Sequence, residues 1–176
     1  MTANPSPLSI SIRRLQRRAG PGDDPVVVPI PHTRLPQALK MAADAGAALT
    51  LIDTAPNSEA PAMAAARAAD LVLIPCRPGI LDLRAIGATA ELVRLAGKPA
   101  FAVLNAVPPR ASALTADATA AIATHGLHLA PVVIHQRAAF VHALTVGKTA
   151  QEYEPYGAAS QEIGNLKTWI AARLAA

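Results

Sequence analysis

Cysteine occurs once in the 176 residues, as Cys76, so the chain can form no internal disulfide. Aromatic residues make up 3% of a chain that is 52% hydrophobic, so a core has to be built from layers of Ala, Leu, Val and Ile. That composition suits helices packed on a sheet. No apolar run approaches the roughly 18 to 20 residues that span a bilayer, despite a positive mean hydropathy. No Lys- or Arg-led apolar segment followed by a small-residue cleavage site opens the chain, and a cytoplasmic location without a membrane span is the expectation. No G-x-G-x-x-G follows any strand-like run, which argues against a dinucleotide-dependent enzyme. No cysteine or carboxylate completes a metal set with His125 and His128, or with His135 and His142. The net charge of +4 is modest and permits weak contact with nucleic acid or a membrane surface without requiring either.

What the chain does have is a succession of short apolar runs separated by helical patterns, most simply one domain over residues 1–176. Leu49-Thr50-Leu51-Ile52-Asp53-Thr54 stands out, an apolar run that delivers an acid and a hydroxyl at its end, where open parallel sheets place their ligand sites. Ahead of it, Ser6-Pro7 and the 4, 3, 4 spacing of Leu8, Ile12, Leu15 and Ala19 predict a helix over about 7–19, although Leu8, Ile10 and Ile12 also fit a short strand. On that helix Arg13, Arg14, Arg17 and Arg18 pair at i and i+4 as a basic stripe, suited to a solvated face or to non-specific contact with a phosphate backbone. Val26–Ile30 reads as a strand that Pro29 and Pro31 shorten or confine to a sheet edge. Thr33 can cap a helix that Gly46 ends.

Further strands are expected at 71–74, 101–104 and 131–134, and helices from Asn57 or Ser58 to about Ala69, from Asp82 to Gly97, and over about 112–124, 137–145 and 158–174. In the second of these helices Leu83, Ile86, Ala90 and Val93 form the inner face, with Arg84, Glu91, Arg94 and Lys98 outside. Strands separated by single helices predict a three-layer α/β fold with a mostly parallel sheet covered on both sides. Cys76, between Pro75 and Arg77 with no histidine placed to act as its base, reads as a small packing residue.

The ordered set Leu51-Ile52-Asp53-Thr54-Ala55-Pro56, Ala68-Ala69-Asp70-Leu71-Val72-Leu73-Ile74-Pro75-Cys76-Arg77-Pro78 with Asp82-Leu83, Val103-Leu104-Asn105 and Gln151-Glu152-Tyr153-Glu154-Pro155 resembles the ParA/MinD family of partition ATPases. The match covers nearly the whole chain from Asn4 and is closest to small ParA-like proteins of plasmids and proteobacterial chromosomes. The resemblance implies a P-loop-type fold, ATP and Mg as the family's ligands, and a role in DNA segregation. It maps the family's magnesium-assisting acid onto Asp53, with Thr54 beside it. It also maps the adenine-contacting asparagine onto Asn105 and the segment lining the base pocket onto Pro131 and its neighbours. The partners it implies are a second copy or a full-length ParA-like protein, a ParB-like protein, and non-specific DNA.

The family opens with a strand and a glycine-rich loop whose backbone donors and lysines neutralise the nucleotide phosphates. Here Asn4-Pro5-Ser6 looks like a remnant of the later Asp-Pro-Gln motif, and the chain is expected to be truncated at its amino end. Gly147-Lys148-Thr149 does not supply the loop, because the required earlier glycine is replaced by His142 and the segment follows a helix. The expectation is a partition protein unable to bind or hydrolyse ATP alone, or else a non-enzymatic module that pairs with a full-length partition ATPase or binds DNA. With the family's central strand missing, strands 49–53 and 71–75 are expected to pair directly or to take a strand from another chain.

Overall fold

In the computed structural model, residues 8–14, 26–54 and 59–175 are described, with 8–14 and 26 by their backbone alone. The chain divides into two compact units, 1–69 and 70–176. Calls on Asn4-Pro5-Ser6, Ser6-Pro7, Arg17, Arg18, Ala55, Pro56 and the Asn57 or Ser58 cap lie outside the described residues.

The first unit is built on an antiparallel sheet in the order β2-β1-β3, from β1 (Leu8–Arg14), β2 (Val26–Ile30) and β3 (Ala47–Asp53). The expected helix over 7–19 is therefore a strand where it is described. Leu8, Ile10 and Ile12 alternate with serines at the two-residue period of a pleat, and β1 bonds on both sides, Ser11 pairing with Val27 and with Leu51. The helical register that joined Arg13 and Arg14 to Arg17 and Arg18 is not formed at β1, where a bulge separates Arg13 from Arg14. Pro29 lies in β2, an edge strand, as its missing N–H requires.

A single 3₁₀ turn at His32–Arg34 replaces the Thr33 cap and leads into α1 (Leu35–Asp44). Gly46, at φ 77°, makes the left-handed turn that returns the chain into β3. α1 and α2 (Glu59–Ala68) cover one face of this sheet, where Ile30 and Leu35 are buried against Leu39, Ile52 and Ala64.

In the second unit β4 (Val72–Cys76), β5 (Ala100–Leu104) and β6 (His128–Leu129) form a parallel sheet in the order β4-β5-β6. α3 (Ile80–Ala96) and α4 (Ser112–Thr124) cover one face, burying Leu83, Ile86, Ala90 and Val93 as the spacing predicts, with Ala118 and Ile122. α5 (Ala138–Thr145) and α7 (Ala158–Leu174) cover the other, where Val103, Ala130 and Ile134 meet Phe140, Ile163, Leu166 and Trp169. The α/β class with a parallel sheet between helix layers thus holds for this unit. The single mostly parallel sheet does not, because the first unit's strands are antiparallel. β3 bonds to β1 within the first unit and β4 bonds to β5 within the second.

The last strand also falls earlier than 131–134. β6 occupies His128–Leu129, and the ladder stops at Pro131, which has no N–H to donate. It resumes beyond the interruption: the Ile134 N–H donates to the Leu104 carbonyl at 2.9 Å, and His135 bridges Val107.

Candidate functional site

Parallel strands end together, so β4, β5 and β6 bring the segments that follow them to one edge of the sheet. Cys76 closes β4, and its carbonyl accepts the Asn105 N–H at 2.9 Å. Asn105 closes β5. Its Oδ1 accepts the N–H of Ala106 at 2.9 Å, which steadies Ala106 at a φ of 52°. The next residues join the loop after β6, with the Val107 N–H donating to Ile134 and the Gln136 N–H to Val107. Asn105 and the loop after β6 that begins at Pro131 thus follow neighbouring strands of one sheet, and both Asn105 and Pro131 are exposed.

One carboxylate fixes that loop. Glu162 on α7 is largely buried, and its Oε1 accepts Arg137 Nε at 3.0 Å and Nη2 at 2.6 Å, while its Oε2 accepts the His135 N–H at 3.1 Å. His135 Nδ1 lies 2.7 Å from Oε1. A carboxylate only accepts, so Nδ1 carries the proton in this contact. Burial pushes the Glu162 carboxyl up, but the donors from Arg137 and His135 outweigh it and hold the group below its ordinary value. The same contact raises Arg137. Sequence reasoning missed this cluster, because Glu162 lies 27 residues from His135 and only the fold brings them together.

Asp53 and Thr54 are both exposed at the end of β3, in the first unit. Asn105 and Pro131 belong to the second, so the four mapped residues divide between the units two and two.

The remaining side chains singled out in the sequence have structural partners. The Cys76 Sγ donates to the Arg77 carbonyl at 3.3 Å, and burial, aided by the Asp82 charge, pushes the thiol up, which suits a packing residue rather than a nucleophile. His128 lies against Phe101, His142 meets Tyr153 edge-on, and the His125 ring lies over Gly87. Among the described residues no group of three or more His, Cys, Asp or Glu is placed to hold a metal ion. Gly147-Lys148-Thr149 ends one helix and starts another. Gly147, at φ 68°, follows α5, and Thr149 caps α6 (Ala150–Tyr153) in a reciprocal box, its Oγ1 accepting from the Glu152 N–H while the Glu152 carboxylate accepts the Thr149 N–H at 2.8 Å.

Neither a protein-family model nor a curated protein sequence matches this chain. Among the described residues no helix is long and apolar enough to cross a membrane.

Proposed function

We propose that this chain is a ParA-like chromosome or plasmid partition protein of P-loop ancestry that does not bind or hydrolyse ATP by itself. What supports the reading is the carboxyl edge of the β4-β5-β6 sheet, where Val107, two residues after Asn105, is hydrogen-bonded to Ile134 and Gln136 of the loop after β6. Among the described residues nothing at that edge offers the row of backbone donors and the lysine that cradle phosphates, and the Gly147-Lys148-Thr149 segment is spent on a helix cap. ATP and Mg, the family's ligands, would need that cradle from residues other than the described ones. The partners that fit are a second copy or a full-length ParA-like ATPase, a ParB-like protein, and non-specific DNA, the last through Arg13, Arg14, Arg17 and Arg18.

A non-enzymatic pairing role is favoured by the face of the first sheet that α1 and α2 leave uncovered, where Val27, Leu49 and Leu51 are exposed. The test is segregation. Deleting the coding sequence from its native replicon should raise the frequency of replicon-free cells, and restoring it in trans should lower it again. Unchanged inheritance of the replicon after deletion would overturn the reading.

A further inference from the structure

A hollow of about 300 Å³ lies between α5, α6 and α7, within the second unit. Phe140 and Leu144 wall it from α5, Ala150 from α6 and Ile163 from α7, and Lys148 and Gln151 belong to its lining. Leu144 is 77% exposed, so this wall stands open to water. Apolar surface left in water costs free energy that an apolar occupant recovers. The polar groups around the hollow are not equally committed. Thr149 and Glu152 satisfy one another, the Glu152 carboxylate accepting the Thr149 N–H at 2.8 Å and the Thr149 hydroxyl at 2.9 Å. Those two bonds, ahead of the Lys148 charge, hold the Glu152 carboxyl below its ordinary value. Lys148 makes no ion pair among the described residues, and its ammonium is the only ionic group in the lining.

We propose that this hollow is a binding site for a soluble medium-chain carboxylate, with its hydrocarbon tail against Phe140, Leu144 and Ile163 and its carboxylate on Lys148. Size limits the occupant. Small-molecule sites run from about 300 to 1,000 Å³, so this one, at the lower end, takes on the order of ten to fifteen non-hydrogen atoms. A chain of about eight to ten carbons ending in a carboxylate has that size. Charge then selects among molecules of that size, because an unpaired ammonium beside apolar surface favours an anion and opposes an organic cation. A nucleotide is a poor match, since its phosphates call for several donors and the lining holds one cation. Lysine suits the role, because its methylenes extend the apolar wall while its ammonium, a point charge on a flexible stem, follows the headgroup. The inference stands independently of the partition reading.

Calorimetric titration of the full 176-residue chain with octanoate tests it. The wild type should bind one octanoate per chain, saturably, with a Kd between about 50 μM and 1 mM. Lys148→Glu should weaken octanoate at least about tenfold and Lys148→Arg should keep it within about threefold, while octanol, the same chain without the charge, should bind the wild type and both variants alike. Leu144→Asp, which sets an acid in the apolar wall at a position outside the core, should weaken both ligands with the far-UV dichroism unchanged. The chain should not co-sediment with phosphatidylglycerol vesicles. The absence of saturable heat up to about 5 mM octanoate, an octanoate affinity that Lys148→Glu leaves unchanged, or one that Leu144→Asp leaves unchanged would each overturn the proposal. Retention on the vesicles that Leu144→Asp removes would assign the surface to a lipid bilayer and overturn it equally.

Discussion

Glu162 holds more of the site together than any other single residue. Its carboxylate joins α7 to the loop after β6, and its removal leaves Arg137 and His135 without their acceptor. Glu162→Gln should lower stability by about 1–2 kcal/mol in urea denaturation, because a partly buried donor set loses a charged acceptor. The sign of the pH dependence follows from the depressed carboxyl. Its contribution is complete above the ordinary glutamate value of about 4.3 and is lost as the pH falls through the lower folded value. The variant should therefore show a flatter acid limb in stability against pH than the wild type, and superimposable limbs would contradict the account. None of this was legible in the sequence, since Glu162 is one polar residue on an amphipathic helix until the fold sets it opposite His135. Asn105 was legible, because a strand followed by an amide and a Pro-Pro pair announces a structured strand end.

At the scale of elements, the helices of the second unit follow closely from their apolar spacing. Leu83, Ile86, Ala90 and Val93 are the buried face of α3, and Gly97, at φ 67°, ends it. The central β5 is equally clear as a continuous apolar run. Leu104 is fully buried there, and Leu104→Ala should cost about 2–5 kcal/mol, measured by chemical denaturation, through the cavity it opens.

The misreadings have identifiable causes. At β1 two periods compete over Leu8–Ile12, and hydrogen bonding to strands on both sides decides for the pleat. At 131–134 an apolar run looked like a strand, but Pro131 breaks the ladder and moves β6 upstream. α6 was missed because it is four residues long, although its capping box, Thr149 with Glu152, is written in the sequence. Thr149→Ala should cost about 1 kcal/mol, read as a lower melting temperature, through the loss of that cap.

The whole molecule consists of two units with different sheet chemistry. The parallel unit carries Asn105 and the loop after β6 at its carboxyl edge, and the antiparallel unit carries Asp53 at the end of β3. The strand ends in the quoted motifs could be read because each is a short contiguous apolar run closed by polar or turn residues. The antiparallel pairing of β1 with β3 could not, since no local pattern states which strand lies beside which.

The central proposal is that the described residues hold no phosphate cradle and so bind no ATP by themselves. Thermal unfolding of the chain with and without saturating Mg-ATP tests it most directly. A ligand at 100 times its dissociation constant stabilises the native state by about 2.7 kcal/mol, worth several degrees in a domain of this size. The account predicts an unchanged melting temperature, and a rise of several degrees with Mg-ATP would contradict it.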